Sequence, residues 1–120
     1  MAHKVDYYKY TVDGEQYTKD EFYKANEMKK SFIADPLCSG LLKVSEMQKI
    51  MNAERFFDYD GIEFSLHTRC KWDLWWTSQN WGGDIKSTTA TTQKQFEEAC
   101  RHFDYDRQRA WYMDIARSNQ

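Results

Sequence analysis

Residues 57–77 read FDYDGIEFSLHTRCKWDLWWT, and their period decides the fold. Phe57 and Tyr59 alternate with Asp58, and Ile62, Phe64 and Leu66 alternate with Glu63, Ser65 and His67. Trp72, Leu74 and Trp76 then alternate with Lys71, Asp73, Trp75 and Thr77. Successive strand side chains point to opposite faces, so the pattern predicts half-buried strands. Asp60-Gly61 supplies a reversal, because both residues tolerate the positive φ of a type I′ turn. The expectation is a three-stranded antiparallel meander with an aromatic inner face, its strands at 57–59, 62–66 and 71–77.

Outward from this centre the patterns change. Residues 6–12 are rich in strand formers and meet a second turn signal, Asp13-Gly14, before a short return. That predicts an N-terminal hairpin. Thr18 and Glu21 form a capping box, so a helix begins near Lys19, with Phe22, Ala25, Met28 and Phe32 on its inner stripe. It stops before Asp35-Pro36, since proline disfavours helical geometry at the residue before it. Residues 35–40 read as a loop. Ser45 and Gln48 spell another capping box, and with Met47, Ile50 and Met51 they predict a short helix over 46–54. Residues 78–92 are polar and read as an exposed loop. Phe96, Cys100 and Phe103 restore the helical period after Thr92, and Asp104 or Asp106 can cap a last helix edged by Trp111, Tyr112 and Ile115. The order is β-β-α-α-β-β-β-α-α, a single α+β domain over 1–120 with helices on one face of an antiparallel sheet.

Composition narrows the function classes. The 120 residues contain only five Leu, five Ile and three Val, against seven Phe, eight Tyr and five Trp. The core must therefore be built from rings, each burying about 150–250 Å². Seventeen Lys and Arg against nineteen Asp and Glu leave a net charge of −2, which is no footprint for coating a duplex. No apolar run approaches the ~20 residues of a membrane span, and the N-terminus shows no signal core, so a cytoplasmic location is expected. Cys38, Cys70 and Cys100 lack metal-ligand spacing and read as reduced thiols. Asp58-Tyr59-Asp60-Gly61 lacks the further ligands of a calcium loop. No metal and no cofactor are expected.

Motifs for catalysis are sparse. His67 sits near Arg69, Cys70 and Asp73, but His67, Arg69, Lys71 and Asp73 share one face only if alternation runs unbroken through the connection, and a turn there would scatter them. No phosphate-binding glycine loop or nucleophile elbow occurs, so no catalytic residue is assigned and the reading leans away from an enzyme. The unusual feature is four of the five Trp within residues 72–81. Trp72 and Trp76 fit the inner face, which turns Trp75 outward beside Arg69 and Lys71, with Trp81 in the loop next to Gly82-Gly83. Exposed Trp and Arg side chains are the usual anchors of protein interfaces. The candidate binding residues are thus Trp75, Trp81, Arg69, Lys71, Gly82 and Gly83.

Three functions fit these residues. The first is a small non-enzymatic interaction protein that binds a protein partner, such as a host nuclease or defence complex. In general character, though in no motif, it resembles accessory and inhibitor proteins of phages and mobile elements. The second is a nucleotide-like ligand bound in a Trp-lined pocket closed by residues 78–92, with Arg69 or Lys86 supplying charge. The third is single-stranded nucleic acid stacked on the Arg69, Lys71 and Trp75 surface. A homodimer through the aromatic strand is also compatible, and no membrane association is expected.

Overall fold

The computed structural model of the chain describes residues 10–120. Its contacts divide it into two compact units, the first ending at Lys43 and the second spanning Val44–Gln120. The single domain expected over 1–120 is therefore described unit by unit. The architecture is α+β, in the order expected from the sequence.

In the first unit, β1 (Thr11–Val12) pairs antiparallel with β2 (Glu15–Gln16). The part of the expected strand before Tyr10 lies outside the described residues. Asp13 and Gly14 both take positive φ, 50° and 81°, as a type I′ turn demands. Helix α1 (Lys19–Ala34) opens on a complete capping box: the Glu21 N–H donates to Thr18 Oγ1 at 3.2 Å, and the Thr18 N–H donates back to Glu21 at 2.9 Å. The expected loop at 35–40 is instead the start of helix α2 (Pro36–Val44). Pro36 ends α1 but stands first in α2, where its missing N–H is not needed. Asp35 accepts the Cys38 N–H at 2.9 Å and caps the new helix. That bond holds its carboxyl below the usual range.

The second unit is built on one long hairpin. Strand β3 (Glu46–Tyr59) pairs antiparallel with β4 (Ile62–Trp76), from Glu46↔Trp75 to Tyr59↔Ile62. Asp60 and Gly61 turn the chain with φ of 53° and 77°. Two expectations fail here. Residues 46–54 form strand rather than helix, because Met51, Ala53, Arg55 and Phe57 are the less exposed residues at alternate positions, while Met47 and Ile50 stay exposed. The strands expected at 62–66 and 71–77 are one continuous strand, since nothing between Leu66 and Lys71 turns the chain. The third strand of the meander comes later. A 3-10 turn (Thr77–Gln79) and Asn80 at φ 48° lead into β5 (Trp81–Gly83), which pairs with Leu74, Trp75 and Trp76 of β4.

Helices α3 (Gln93–His102) and α4 (Tyr105–Ser118) follow, α3 capped by Thr92, whose hydroxyl accepts the Gln95 N–H. The core is Met51, Cys70, Trp72, Trp75, Ile115 and Ala116, so α4 is seated on the sheet. Trp72 meets the Tyr112 ring edge-on at 5.2 Å, a favoured aromatic geometry. Two Trp rings thus stand among the six core residues, with Tyr112 packed against them.

Candidate functional site

The site grows from the place where β4 loses its regularity. Gln48 and Asp73 face each other, yet their pair is missing from the ladder and Gln48 has a left-handed φ of 58°. Local departures of this kind re-aim side chains. Trp75 is consequently buried along with Trp72 and Leu74, and Asp73 turns toward the chain leaving β5. One Asp73 oxygen accepts the Ile85 N–H at 2.7 Å; the other accepts the Gln48 amide at 3.3 Å. Asp73 thereby pins the segment Asp84-Ile85-Lys86.

Strand β5 sits close because it has no side chains in the way. A methyl group on Gly82 would overlap the Trp72 ring, and one on Gly83 would lie 2.7 Å from the Trp81 ring. Arg109 of α4 completes the clamp. Its guanidinium donates to the Gly82 carbonyl and lies 5.3 Å over the Trp72 ring.

Beyond the clamp, Lys86 Nζ makes an ion pair with Asp84 at 2.6 Å and donates to the Gln108 side-chain oxygen at 2.9 Å. It also stands 4.7 Å over the Tyr105 ring. The hydrogen bond to Asp84 raises the Lys86 pKa above 10.5, with partial burial opposing and the charges of Asp84, Tyr105 and Asp73 adding to it. Lys86 is a held cation, then, not a free amine. A cleft of about 230 Å³ opens beside it, lined by Asp84, Lys86, Phe96, Tyr105, Gln108 and Tyr112 among others. Among the described residues no three His, Cys, Asp or Glu side chains form a metal-binding group. What converges is two carboxylates and a lysine.

The residues singled out from sequence fall elsewhere or serve differently. Trp75, expected to point outward, is only 4% exposed and packs against Trp72, which removes it from any docking surface. Trp81 is half-buried opposite Trp76. Gly82 and Gly83 are buried as packing positions in β5 rather than forming an open loop. Arg69 and Lys71 are exposed on β4, away from Trp75 in burial if not in sequence. His67 is exposed and Cys70 is buried, and burial pushes the Cys70 thiol pKa up, so His67, Cys70 and Asp73 make no catalytic cluster. Of that trio Asp73 alone belongs to the site. The signal missed was Asp84-x-Lys86, opposite charges two residues apart at a strand exit. Alternation puts such a pair on one side.

The fold and site define a class: an α+β protein in which Asp73 of the central strand holds the chain leaving the edge strand, where Asp84 and Lys86 line an aromatic cleft. The PDDEXK-like domain of unknown function (DUF3799) matches residues 2–120, and the chain belongs to this family. No curated protein and no solved structure matches it. Among the described residues, no helix is long and apolar enough to cross a membrane.

Proposed function

We propose that the protein is a nuclease-like enzyme that hydrolyses phosphodiester bonds at the Asp73, Asp84 and Lys86 site. The observation that supports it is the Asp84–Lys86 ion pair, pinned by Asp73 and Gln108 in a chain whose family carries the letters D, D/E-X-K in its name. Asp84-Ile85-Lys86 fits that triplet with Asp73 as the preceding aspartate. The only other such triplet, Glu27-Met28-Lys29, lies within helix α1, where residues two apart diverge.

The residues fit a divalent cation with hard oxygen ligands. Magnesium binds through one or two carboxylates plus substrate phosphate, and the charges of Asp84 and Asp73 both bear on Lys86. Such an ion, held by Asp73 and Asp84, would supply Lewis-acid stabilisation of the phosphoryl oxygens. The chain's own residues do the rest. Lys86 stays protonated and faces the negative charge that builds as water attacks phosphorus and the P–O bond to the leaving oxygen breaks. Gln108 and Tyr105 orient the Lys86 ammonium, and Asp73 holds the Asp84-Ile85-Lys86 segment in place. A cytoplasmic location accompanies this reading.

The test is cleavage of labelled single-stranded and duplex oligonucleotides by the purified chain with magnesium or manganese. Activity is expected to vanish in EDTA and to fall by about 10²–10³ in Lys86→Ala, the loss typical of removing one transition-state charge partner. Asp84→Asn is expected to fall at least as far. In the metal-free chain the Asp84 hydrogen bond holds the Lys86 ammonium charged to higher pH than a free lysine, and that charge is lost only as pH rises through its raised pKa. A folded protein that cleaves no oligonucleotide with either metal overturns the assignment.

A second reading keeps the chain as an interaction protein, of the inhibitor or accessory kind, with its surface moved from Trp75 to the hairpin tip. Tyr59, 75% exposed, and Ile62, 65% exposed, are ladder partners at the tip, an apolar pair suited to a protein partner. Native mass spectrometry of the gently purified protein separates the two, since a retained protein-sized adduct or a homodimer supports this reading and a bare monomer does not.

A further inference from the structure

The β3–β4 hairpin reaches past α4, and its ring-bearing face there has no role in the cleft. Phe57 and Phe64 are cross-strand partners and stack at 5.5 Å with planes 22° apart. Trp111 of α4 lies nearly parallel to Phe57, 6.4 Å away and 9° off. The three rings share one stacking direction, unlike the edge-on pair in the core. They are also open to solvent, Phe64 by 41% and Trp111 by 36%. The Arg55 guanidinium lies 4.9 Å from the Trp111 ring and 5.7 Å from Phe57, anchored by Asp114 at 3.0 Å. Alternation sends Asp58 and Glu63 to the opposite face of the hairpin from Phe57 and Phe64. On the ring side Asp114 is already engaged by Arg55 and, at 3.6 Å, by Arg117.

The geometry points to a base-stacking platform for single-stranded nucleic acid on Trp111, Phe57 and Phe64, with Arg55 holding the rings in place. Unpaired bases present free faces that extend such a stack, and this contact is tolerant of sequence. A duplex keeps its base faces covered, so the platform selects unpaired strands. The inference rests on the phosphodiester reading for its ligand class and adds the form of substrate. Since the chain carries a net charge of −2, stacking rather than phosphate neutralisation supplies the affinity, and salt dependence is shallow.

The probe is a fluorescently labelled oligothymidylate of about one helical turn's length, with the matching duplex, titrated by anisotropy in EDTA so that nothing is cleaved. The single strand is expected to bind more tightly than the duplex. Trp111→Ala and Phe64→Leu should each weaken it by about tenfold, within the range for losing one base–ring stack. Phe64→Leu keeps an apolar side chain in place, so its loss reads the ring and not the fold, and Phe64→Trp should restore binding. Equal affinity for duplex and single strand, or wild-type affinity in Phe64→Leu, overturns the platform. Ring-dependent binding by a wild-type protein that never cleaves would sink the phosphodiester reading and leave the platform standing.

Discussion

The two ends of the β3–β4 hairpin make an instructive pair. At the base, Trp72, Leu74 and Trp75 are at most 4% exposed, covered by α4 and by β5. At the tip, Phe56, Tyr59 and Ile62 are each at least 65% exposed. Both ends are rich in large apolar side chains. The difference is what lies over them: a third strand whose Gly82 admits the Trp72 ring at one end and, among the described residues, no further strand of the sheet at the other. Burial follows from coverage, so apolar side chains of one hairpin can build a core at one end and display a surface at the other.

The largest test of this contrast is Trp72→Ala at the base. Removing a fully buried ring is expected to cost about 3–5 kcal/mol, read by chemical denaturation. A loss below about 1 kcal/mol would mean the base is no better packed than the tip. Next is Gly82→Ala, where one added methyl overlaps Trp72 and is expected to destabilise by about 1–3 kcal/mol. The same variant shifts β5 and with it Asp84 and Lys86, so any cleavage activity should drop alongside the melting temperature. Wild-type stability there would show that the glycines are incidental. The smallest effect is expected from Phe56→Ser at the tip. A residue 79% exposed should change stability by no more than about 0.5 kcal/mol, and a large loss would reveal cover over the tip that this structure does not show.

How much could be read in advance depended on range. The turns at Asp13-Gly14 and Asp60-Gly61 and the cap at Thr18 were legible because each closes within a few residues. Residues 46–54 carried an equally good capping signal and became strand, since pairing with β4 outweighed a local box. Pro36 was legible as a stop for α1 and not as the first residue of α2. Trp75 was placed outward by strict alternation, which breaks at the unpaired Gln48 and Asp73.

The site was the least legible part. Asp73 reaches Ile85 across 12 positions, and Lys86 reaches Gln108 across 22. Asp84-x-Lys86 alone is a common pairing of charges, and Asp73 and Gln108 give it meaning only once the chain has folded.

From its own residues the chain determined the α+β class, the element order and both positive-φ hairpin turns, because propensity, capping and period act over a few neighbouring residues. Tertiary structure decided which helix signal won, which Trp was buried, and that two aspartates and a lysine meet beside an aromatic cleft. Those outcomes depend on hydrogen bonds and packing between residues far apart in sequence, which no local pattern records.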